Sequence, residues 1–444
     1  MARWRRRDVA CPGCGGRPSS PHGAARVLAA ELVLRPGSAT FPHQARGRGR
    51  TGGVACVPRF LRRAVVSSAA AAVSARSGDH RVDLCGTGPA TRGLPVRAPG
   101  GASGQAVMDM DVVIPAHSAA RTLPACIDGV VAAGFAPHAI IVADDRSRDE
   151  TAQIARQRGA RVVQSAGPGA AAARNSGVSA GQASVILFVD ADVVLHAGGR
   201  ERIERFFETH PDHAALIGSY DDAPPAPGAL SRIRNLLHHH THQRAGGDVT
   251  SFWGGIGAIR RADFVAGGGF PPGHLLEDVA LGVTLARAGR RVRLDPDLQG
   301  AHLKRWTLRS MARADLIYRA LPWSRMLLDP EAKDAATVLS ANRDGKVSVV
   351  LSGGAGLGVI MLPLMPMAGG AIALAGLAAL AMQNRGFLCL VRRRLGGKAA
   401  LQAPLVLWVH FCCAGAGYAI AWLERLMQIP KVRALSPRSR HPSD

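Results

Sequence analysis

From residue 111 to about 300 the chain alternates short apolar, β-rich runs with Ala- and Arg-rich stretches of helical period. The runs are Asp111–Pro115, Ala139–Ala143, Arg161–Gln164 and Ser184–Val189, and the helical stretches lie near 120–133, 149–158 and 170–180. Strands alternating with helices build βαβ units and a mainly parallel sheet, which predicts an α/β fold. In such sheets ligands bind beyond the carboxyl ends of the strands. The polar candidates of this chain fall there.

Past Lys346 the pattern becomes continuously apolar: Val347–Leu362, then Met367–Met382 after Pro363 and Pro366, and later Leu401–Leu423. About 20 apolar residues cross a hydrocarbon core. The third run meets that length, and the first two read as a hairpin of short spans turning at Pro363–Pro366. C-terminal transmembrane helices, about three spans over 347–428, are therefore predicted. Arg392, Arg393, Arg394 and Lys398 favour a cytoplasmic loop before the third run. Lys431, Arg433, Arg438 and Arg440 make the tail, 429–444, basic as well, and three spans cannot keep both inside. Between the two regions, Leu308–Leu328 interleaves Arg309, Arg313, Arg319 and Arg325 with apolar residues, as an interfacial amphipathic helix does. This segment, 307–346, is expected to hold the site near lipid.

Charge changes this picture little. The formal net charge is +23, but seventeen arginines against four acidic residues (Asp8, Glu31, Asp79, Asp83) concentrate much of it in residues 1–107. That Arg/Gly/Ala/Pro-rich stretch lacks sustained periodicity and reads as a disordered extension. The first strand follows directly on Met108 and Met110, so 108 is the expected start of the folded chain and the extension reads as an over-extended start. Nucleic acid is not an expected partner. Cys11 and Cys14 form one CxxC without the second ligand pair that a zinc site needs.

Chemistry concentrates at the ends of the strands and the starts of the helices. Asp190-Ala191-Asp192 closes an apolar strand, and alternation along a strand would put both carboxylates on one face. They repel unless a cation joins them, and a hard divalent ion completed by substrate phosphates suits the pair. An earlier strand ends in Asp144-Asp145-Arg146-Ser147-Arg148-Asp149-Glu150-Thr151, and the first runs into Ile114-Pro115-Ala116-His117. Gly167-Pro168-Gly169 opens a helix carrying Arg174, an arrangement suited to an anion. Leu276-Glu277-Asp278 follows Gly268-Gly269-Phe270. In His238-His239-His240-Thr241-His242 only His238 and His242 would share a helix face, and the cluster reads as surface histidines.

In this order the pieces resemble the nucleotide-binding half of family 2 glycosyltransferases of the GT-A fold, whose strands end in Ile-Pro-x-x-Asn-like and Asp-Asp-x-Ser-x-Asp-x-Thr patterns. Arg146 stands where that family usually has Gly, and His117-Ser118 departs from the first pattern. The resemblance implies a GT-A glycosyltransferase domain over 108–306. By it, Pro115, Asp144, Asp145, Arg174 and Asp190 bind a nucleotide-diphosphate sugar, with Asp144 or Asp145 at the base and Asp190 at the ribose, while Asp192 with Asp190 holds Mg²⁺ or Mn²⁺. Inverting transfer needs a base for the acceptor hydroxyl. Asp278, with Glu277, is the candidate.

His302-Leu303-Lys304-Arg305-Trp306 is similar to the Gln/Arg-x-x-Arg-Trp signature of membrane-embedded sugar synthases and ceramide glucosyltransferase-like enzymes. The likeness implies diphosphate or acceptor contacts for His302, Arg305 and Trp306. Apart from it, Thr250-Ser251-Phe252-Trp253-Gly254-Gly255 reads as a lining of the acceptor pocket, with Trp253 its candidate contact. The expected protein is a metal-dependent inverting transferase, multi-pass in the cell membrane, its catalytic domain cytoplasmic and its acceptor a lipid or membrane-associated glycan. A polyprenyl phosphate acceptor is the alternative. A catalytically inactive basic membrane scaffold is the alternative of another class, opposed by the intact Asp190, Asp192, Asp278, Arg305 and Trp306.

Overall fold

A computed structural model describes residues 108–329 and 343–427, so the expectations for 1–107 and for the tail lie outside the described residues. The first half is built from β1 (Met110–Ala116), α1 (Leu123–Ala132), β2 (Ile140–Asp144), α2 (Thr151–Gln157), β3 (Arg161–Gln164), α3 (Ala170–Ala180) and β4 (Val185–Val189). β2 and β4 are buried at every position and β1 at all but one, as strands covered on both faces must be. β1 pairs in parallel with β2 and β4, and β2 with β3. Gly177 lets α3 lie close on β1, because a Cβ there would meet the side chain of Val113. The strand and helix spans match the expected ones within a few residues.

The rest of the sheet departs from expectation. β5 (Val193–Leu195), α4 (Gly199–Thr209), β6 (His213–Tyr220), α5 (Ala229–Arg244), β7 (Gly247–Val249), β8 (Ile256–Arg260), α6 (Arg261–Ala266), α7 (Glu277–Arg287) and β9 (Arg291–His302) follow. The strand order is β3-β2-β1-β4-β8-β6-β9-β5, with β7 on β9. β8 runs antiparallel to both β4 and β6, and β5 and β7 run antiparallel to β9. The sheet is therefore mixed, and parallel throughout only in the half carrying β1 to β4. This is a GT-A-like α/β fold. The cause is β8: Ile256–Arg260 enters between β4 and β6 against their direction, a placement no helix-strand alternation announces.

The expected amphipathic helix is three pieces: α8 (Leu308–Arg313), a π-helical turn (Ala314–Ala320) and α9 (Leu321–Leu327). Thr307 and Ser310 cap its start reciprocally, each side chain bonding the other's backbone N–H. Pro322 lacks the N–H that would continue a regular ladder after the π turn. Then come α10 (Arg343–Met361), α11 (Pro366–Gln383), α12 (Arg385–Leu395) and α13 (Gly397–Leu426). Among the described residues three helices, α10, α11 and α13, are long and apolar enough to cross a membrane. Ile360, Leu364, Met367, Leu374 and Met382 stand exposed along the α10–α11 hairpin. Its helices approach closely through small residues, Gly358 facing Gly369 and Ala373, and Gly376 facing Ala355.

The basic stretch before the third apolar run folds as α12, an amphipathic helix with Phe387 and Val391 buried and Arg392 to Arg394 exposed. The Phe387 ring meets His240 of α5 at 5.5 Å between centroids, and Arg394 pairs with Asp222. One core joins α5, the α8–α9 segment and the C-terminal helices, with Ile233, Leu236, Trp306, Met311, Leu380, Phe387 and Leu407 inside it. A buried ion pair crosses it: Arg234 of α5 and Asp315 of the π turn are each 2% exposed, and His410 of α13 reaches the same carboxylate at 2.8 Å. Burial opposes the Asp315 charge, but the His410 hydrogen bond and then Arg234 hold its carboxyl down at about 2. Asp315→Ala leaves the Arg234 charge uncompensated and should cost roughly 3–5 kcal/mol. The double variant Arg234→Met/Asp315→Leu should recover most of that loss in detergent-solubilised thermal unfolding.

Candidate active site

The first walls of the site come from β1 and β2. Asp144 is the last residue of β2 and sits opposite Gln164 of β3 in the register. Its buried carboxylate accepts from Gln164 Nε2 at 3.0 Å and from the Ser147 N–H at 3.2 Å. Asp145 stands outside the strand and accepts from the Gly169 N–H at 2.7 Å, so it ties the β2 end to the start of α3. His117 Nδ1 lies 2.6 Å from the Asp145 carbonyl, just beyond half-buried Pro115. Arg146 has φ 57°, the left-handed region that glycine enters without strain, which accounts for the family's usual Gly here. Its guanidinium reaches back to Asp145 at 3.2 Å. Asp149 accepts from Thr151 Oγ1 and the Ala120 N–H; slight burial opposes its charge, yet these bonds hold its carboxyl below the usual range.

Asp190 and Asp192 do not share a strand face. They occupy a turn between β4 and β5, closed by the Val193 N–H donating to the Asp190 carbonyl at 2.9 Å. A turn separates what a strand would align, so each carboxylate has its own partner. Asp190 pairs with Arg174 at 2.7 Å, whereas Asp192 lies 3.5 Å from His302 Nε2. The register explains the second contact, because Val193 of β5 is opposite His302 of β9. Burial raises the Asp190 carboxyl above its ordinary value against the pull of Arg174. For Asp192 burial works the same way, but His302 and then Lys304 outweigh it and bring the carboxyl to about 2.

Arg174 is turned inward rather than toward a ligand. It is 5% exposed, and its second arm holds Glu277 Oε1 at 2.7 Å, so one guanidinium bridges the Asp-x-Asp turn and the start of α7. A Cβ on Gly254 would lie 2.9 Å from its Cζ, which is why glycine stands there. Burial, with a further push from neighbouring Asp278, lifts the Glu277 carboxyl to about 7 against the pull of Arg174. Asp278 is half-buried and accepts from the Val279 N–H at 2.8 Å and the Gly254 N–H at 3.5 Å.

The far side is aromatic. Tyr220 stacks on His302 with centroids 4.1 Å apart and planes at 10°, and Trp253, half-buried, meets Tyr220 and His242 edgewise. His242 is buried and His238 half-buried, so these are not surface histidines. The two apolar neighbourhoods of α5, the sheet and the C-terminal helices, enclose them. Trp306 is only 8% exposed, with its indole N–H donating to Asn235 Oδ1 at 3.1 Å. Its ring is packed in the core shared with the C-terminal helices and offers no face to a sugar. Arg305, by contrast, is exposed. Among the described residues no group of three or more His, Cys, Asp or Glu side chains could by itself hold a metal ion.

Asn235, Tyr220 and Gln164 were not singled out from the sequence. Asn235 left one trace, a lone amide beside Ile233, Leu236 and Leu237. The bridging role of Arg174 had no local signal, since Glu277 is 103 residues away. Arg174→Leu is expected to lower stability by about 3 kcal/mol by stranding two partly buried carboxylates. Arg174→Lys, reaching one of them, should fall between it and the parent in denaturant unfolding.

Residues 111–266 match the sequence pattern of the glycosyl transferase family 2. Curated relatives from Mycobacterium bovis and Mycobacterium tuberculosis, each named an uncharacterized glycosyltransferase, are 37% identical over 87 residues, 20% of this chain. The chain spans 38% of the length of these relatives. Among solved structures, the mannosyltransferase PcManGT from Pyrobaculum calidifontis, in complex with GDP-Man and Mn²⁺, is similar at a TM-score of 0.44 and 16% identity, over 72% of this chain and 88% of that one. TarS from S. aureus gives 0.38 and 14%, over 72% and 92%. Glucosyl-3-phosphoglycerate synthase from M. tuberculosis gives 0.36 and 20%, over 51% and 84%.

Proposed function

We propose that this chain, which carries a family 2 glycosyltransferase domain over residues 111–266, moves a sugar with inversion from a nucleotide-diphosphate sugar to a hydroxyl of an acceptor at a membrane. The observation that carries this reading is the convergence of Asp190, Glu277 and Asp278 on the single buried guanidinium of Arg174, with Asp192 in the same turn as Asp190. Asp145, Gly169 and the opening of α3 form the nucleotide end. Asp278 is the base: Arg174 occupies Glu277, which leaves Asp278 to take the acceptor proton. By this reading Trp253 and Tyr220 line the acceptor side, the protein is multi-pass with its catalytic domain cytoplasmic, and the length and apolar character of α10, α11 and α13 support that membrane contact.

The donor set fits a divalent ion with open positions. Asp192 is ionised and partly exposed, His302 offers a second ligand atom 3.5 Å away, and a diphosphate with water would complete six-fold coordination. Asp190 acts instead through Arg174, which neutralises it without metal. Bound there, Mg²⁺ or Mn²⁺ would stabilise the charge on the departing diphosphate. Exposed Arg305 stands free to add a second cation on the same side.

A phosphate-bearing lipid acceptor, polyprenyl phosphate included, is a second reading favoured by Arg319. This exposed arginine donates to His238 Nε2 at 2.9 Å and forms no ion pair with a carboxylate among the described residues. Burial, and then the charges of Arg319 and Arg234, push His238 well below its ordinary value, so it accepts as a neutral ring.

Metal-dependent binding should be visible first. Calorimetric titration of the purified chain with UDP- and GDP-sugars is expected to give binding with Mn²⁺ present and at least tenfold weaker binding in Asp192→Asn. Transfer activity of Asp278→Asn should fall by 10²- to 10⁴-fold with donor affinity kept. Parent activity in Asp278→Asn would remove the assigned base. The pH profile follows from Glu277: below about 7 its carboxyl holds a proton and its pair with Arg174 weakens. The rate kcat/KM should thus rise with pH through about 7 and level off above it, and this rise should leave that window in Glu277→Gln.

A further inference from the structure

His302 has two ring nitrogens, and its surroundings decide which one carries hydrogen. The Trp306 indole N–H lies 3.1 Å from one terminal atom of the Asn235 amide. An indole N–H can only donate, so that atom is the amide oxygen. The other terminal atom lies 3.2 Å from the carbonyl of His302 and 3.3 Å from that of Lys304. Carbonyls only accept, so it is the NH₂ group. The amide is thus oriented from both ends. Its oxygen also lies 3.0 Å from His302 Nδ1, which must therefore donate. Nδ1 therefore keeps its hydrogen in either charge state, and Nε2, which faces Asp192 at 3.5 Å, is the one ring nitrogen that can give up a hydrogen and offer a lone pair to a cation.

Asn235 is 1% exposed, His302 5% and Trp306 8%, so water does not offer other partners. Tyr220 lies flat on the imidazole at 4.1 Å and fixes the ring plane. Ser231 holds the Trp306 backbone from the same face of α5, its hydroxyl accepting from the Trp306 N–H at 2.9 Å.

We propose that Asn235 and Trp306 are positioning residues that reserve His302 Nε2 as a ligand for the divalent ion, and that this is the work of the tryptophan following Arg305. The proposal rests on the metal-dependent reading of the site given above. Partners that fix the tautomer of a ligating histidine typically contribute tenfold to a hundredfold in metal affinity. Trp306 would then set metal affinity from inside the core that packs against the apolar helices, without touching substrate.

The test is Mn²⁺ binding by the full-length chain in detergent with UDP or GDP present, followed by electron paramagnetic resonance. In the parent chain, pulsed spectra should show ¹⁴N coupling from one imidazole, lost in His302→Ala. Asn235→Leu should weaken Mn²⁺ binding by about tenfold to a hundredfold. The double variant Asn235→Leu/His302→Ala should bind no more weakly than His302→Ala alone, because the amide acts only through the ring. Trp306→Phe keeps most of the ring volume and leaves the two carbonyls to orient the amide, so its loss should be smaller but still cancel in the His302→Ala background; it serves where Asn235→Leu does not fold. Additive losses, or parent-like Mn²⁺ affinity in both Asn235→Leu and Trp306→Phe, overturn the relay. Mn²⁺ bound without ¹⁴N coupling overturns the relay alone, whereas a parent chain that binds no Mn²⁺ with either nucleotide overturns the metal-dependent reading with it.

Discussion

The guanidinium of Arg174 is the interaction on which the site depends. Four carboxylates, Asp190, Asp192, Glu277 and Asp278, gather at one end of the sheet, and like charges a few ångströms apart repel by several kcal/mol even at an effective dielectric near 20. Arg174 answers two of them at 2.7 Å each. The surrounding sequence reads as the set of conditions for this reach. Gly177 lets α3 settle on β1, Gly254 clears the path of the guanidinium, and Gly282 brings α7 against the backbone of Ser251 and Phe252. With Asp190 and Glu277 satisfied internally, Asp192 and Asp278 are the two carboxylates that Arg174 does not pair.

That division could not be read from the sequence. Apolar runs gave the strands β1 to β4 and the helices between them, because periodicity reports burial directly. The carboxylates were legible as a set for the same reason: each follows a buried strand or opens a helix. What periodicity cannot give is which cation meets which carboxylate. The Asp-x-Asp pair looks like a continuation of β4, yet the chain turns there so that β5 can join β9, and only the long-range register of β5 with His302 reveals it.

The same limit explains Trp306. In sequence an Arg-Trp pair beside a predicted membrane region invites a sugar-stacking role, since an exposed indole suits a pyranose face. Burial reverses that inference. Asn235, 71 residues earlier, takes the indole N–H, and α5 joins the helices that follow the motif in one core. His240 shows the companion effect: part of a helix read as surface is half-buried because α12, a stretch read as a loop, folds back on α5 through Phe387.

The apolar helices and the chemistry therefore share walls. Arg234 lies over the Trp306 ring at 5.7 Å while pairing with Asp315, and Asp315 in turn meets His410 of α13. On its other side Trp306 holds the amide that faces His302. Most of these contacts are buried, and buried polar groups do not exchange partners freely, because any partner lost is paid in desolvation. Only three residues separate His302 from Trp306, so strand β9 passes almost at once into the core shared with the apolar helices. An arrangement this short leaves no hinge between them. The position of the helices that would contact lipid is then fixed relative to Asp192 and Asp278 by packing, which is what a transferase needs if its acceptor arrives from the bilayer while its donor arrives from water.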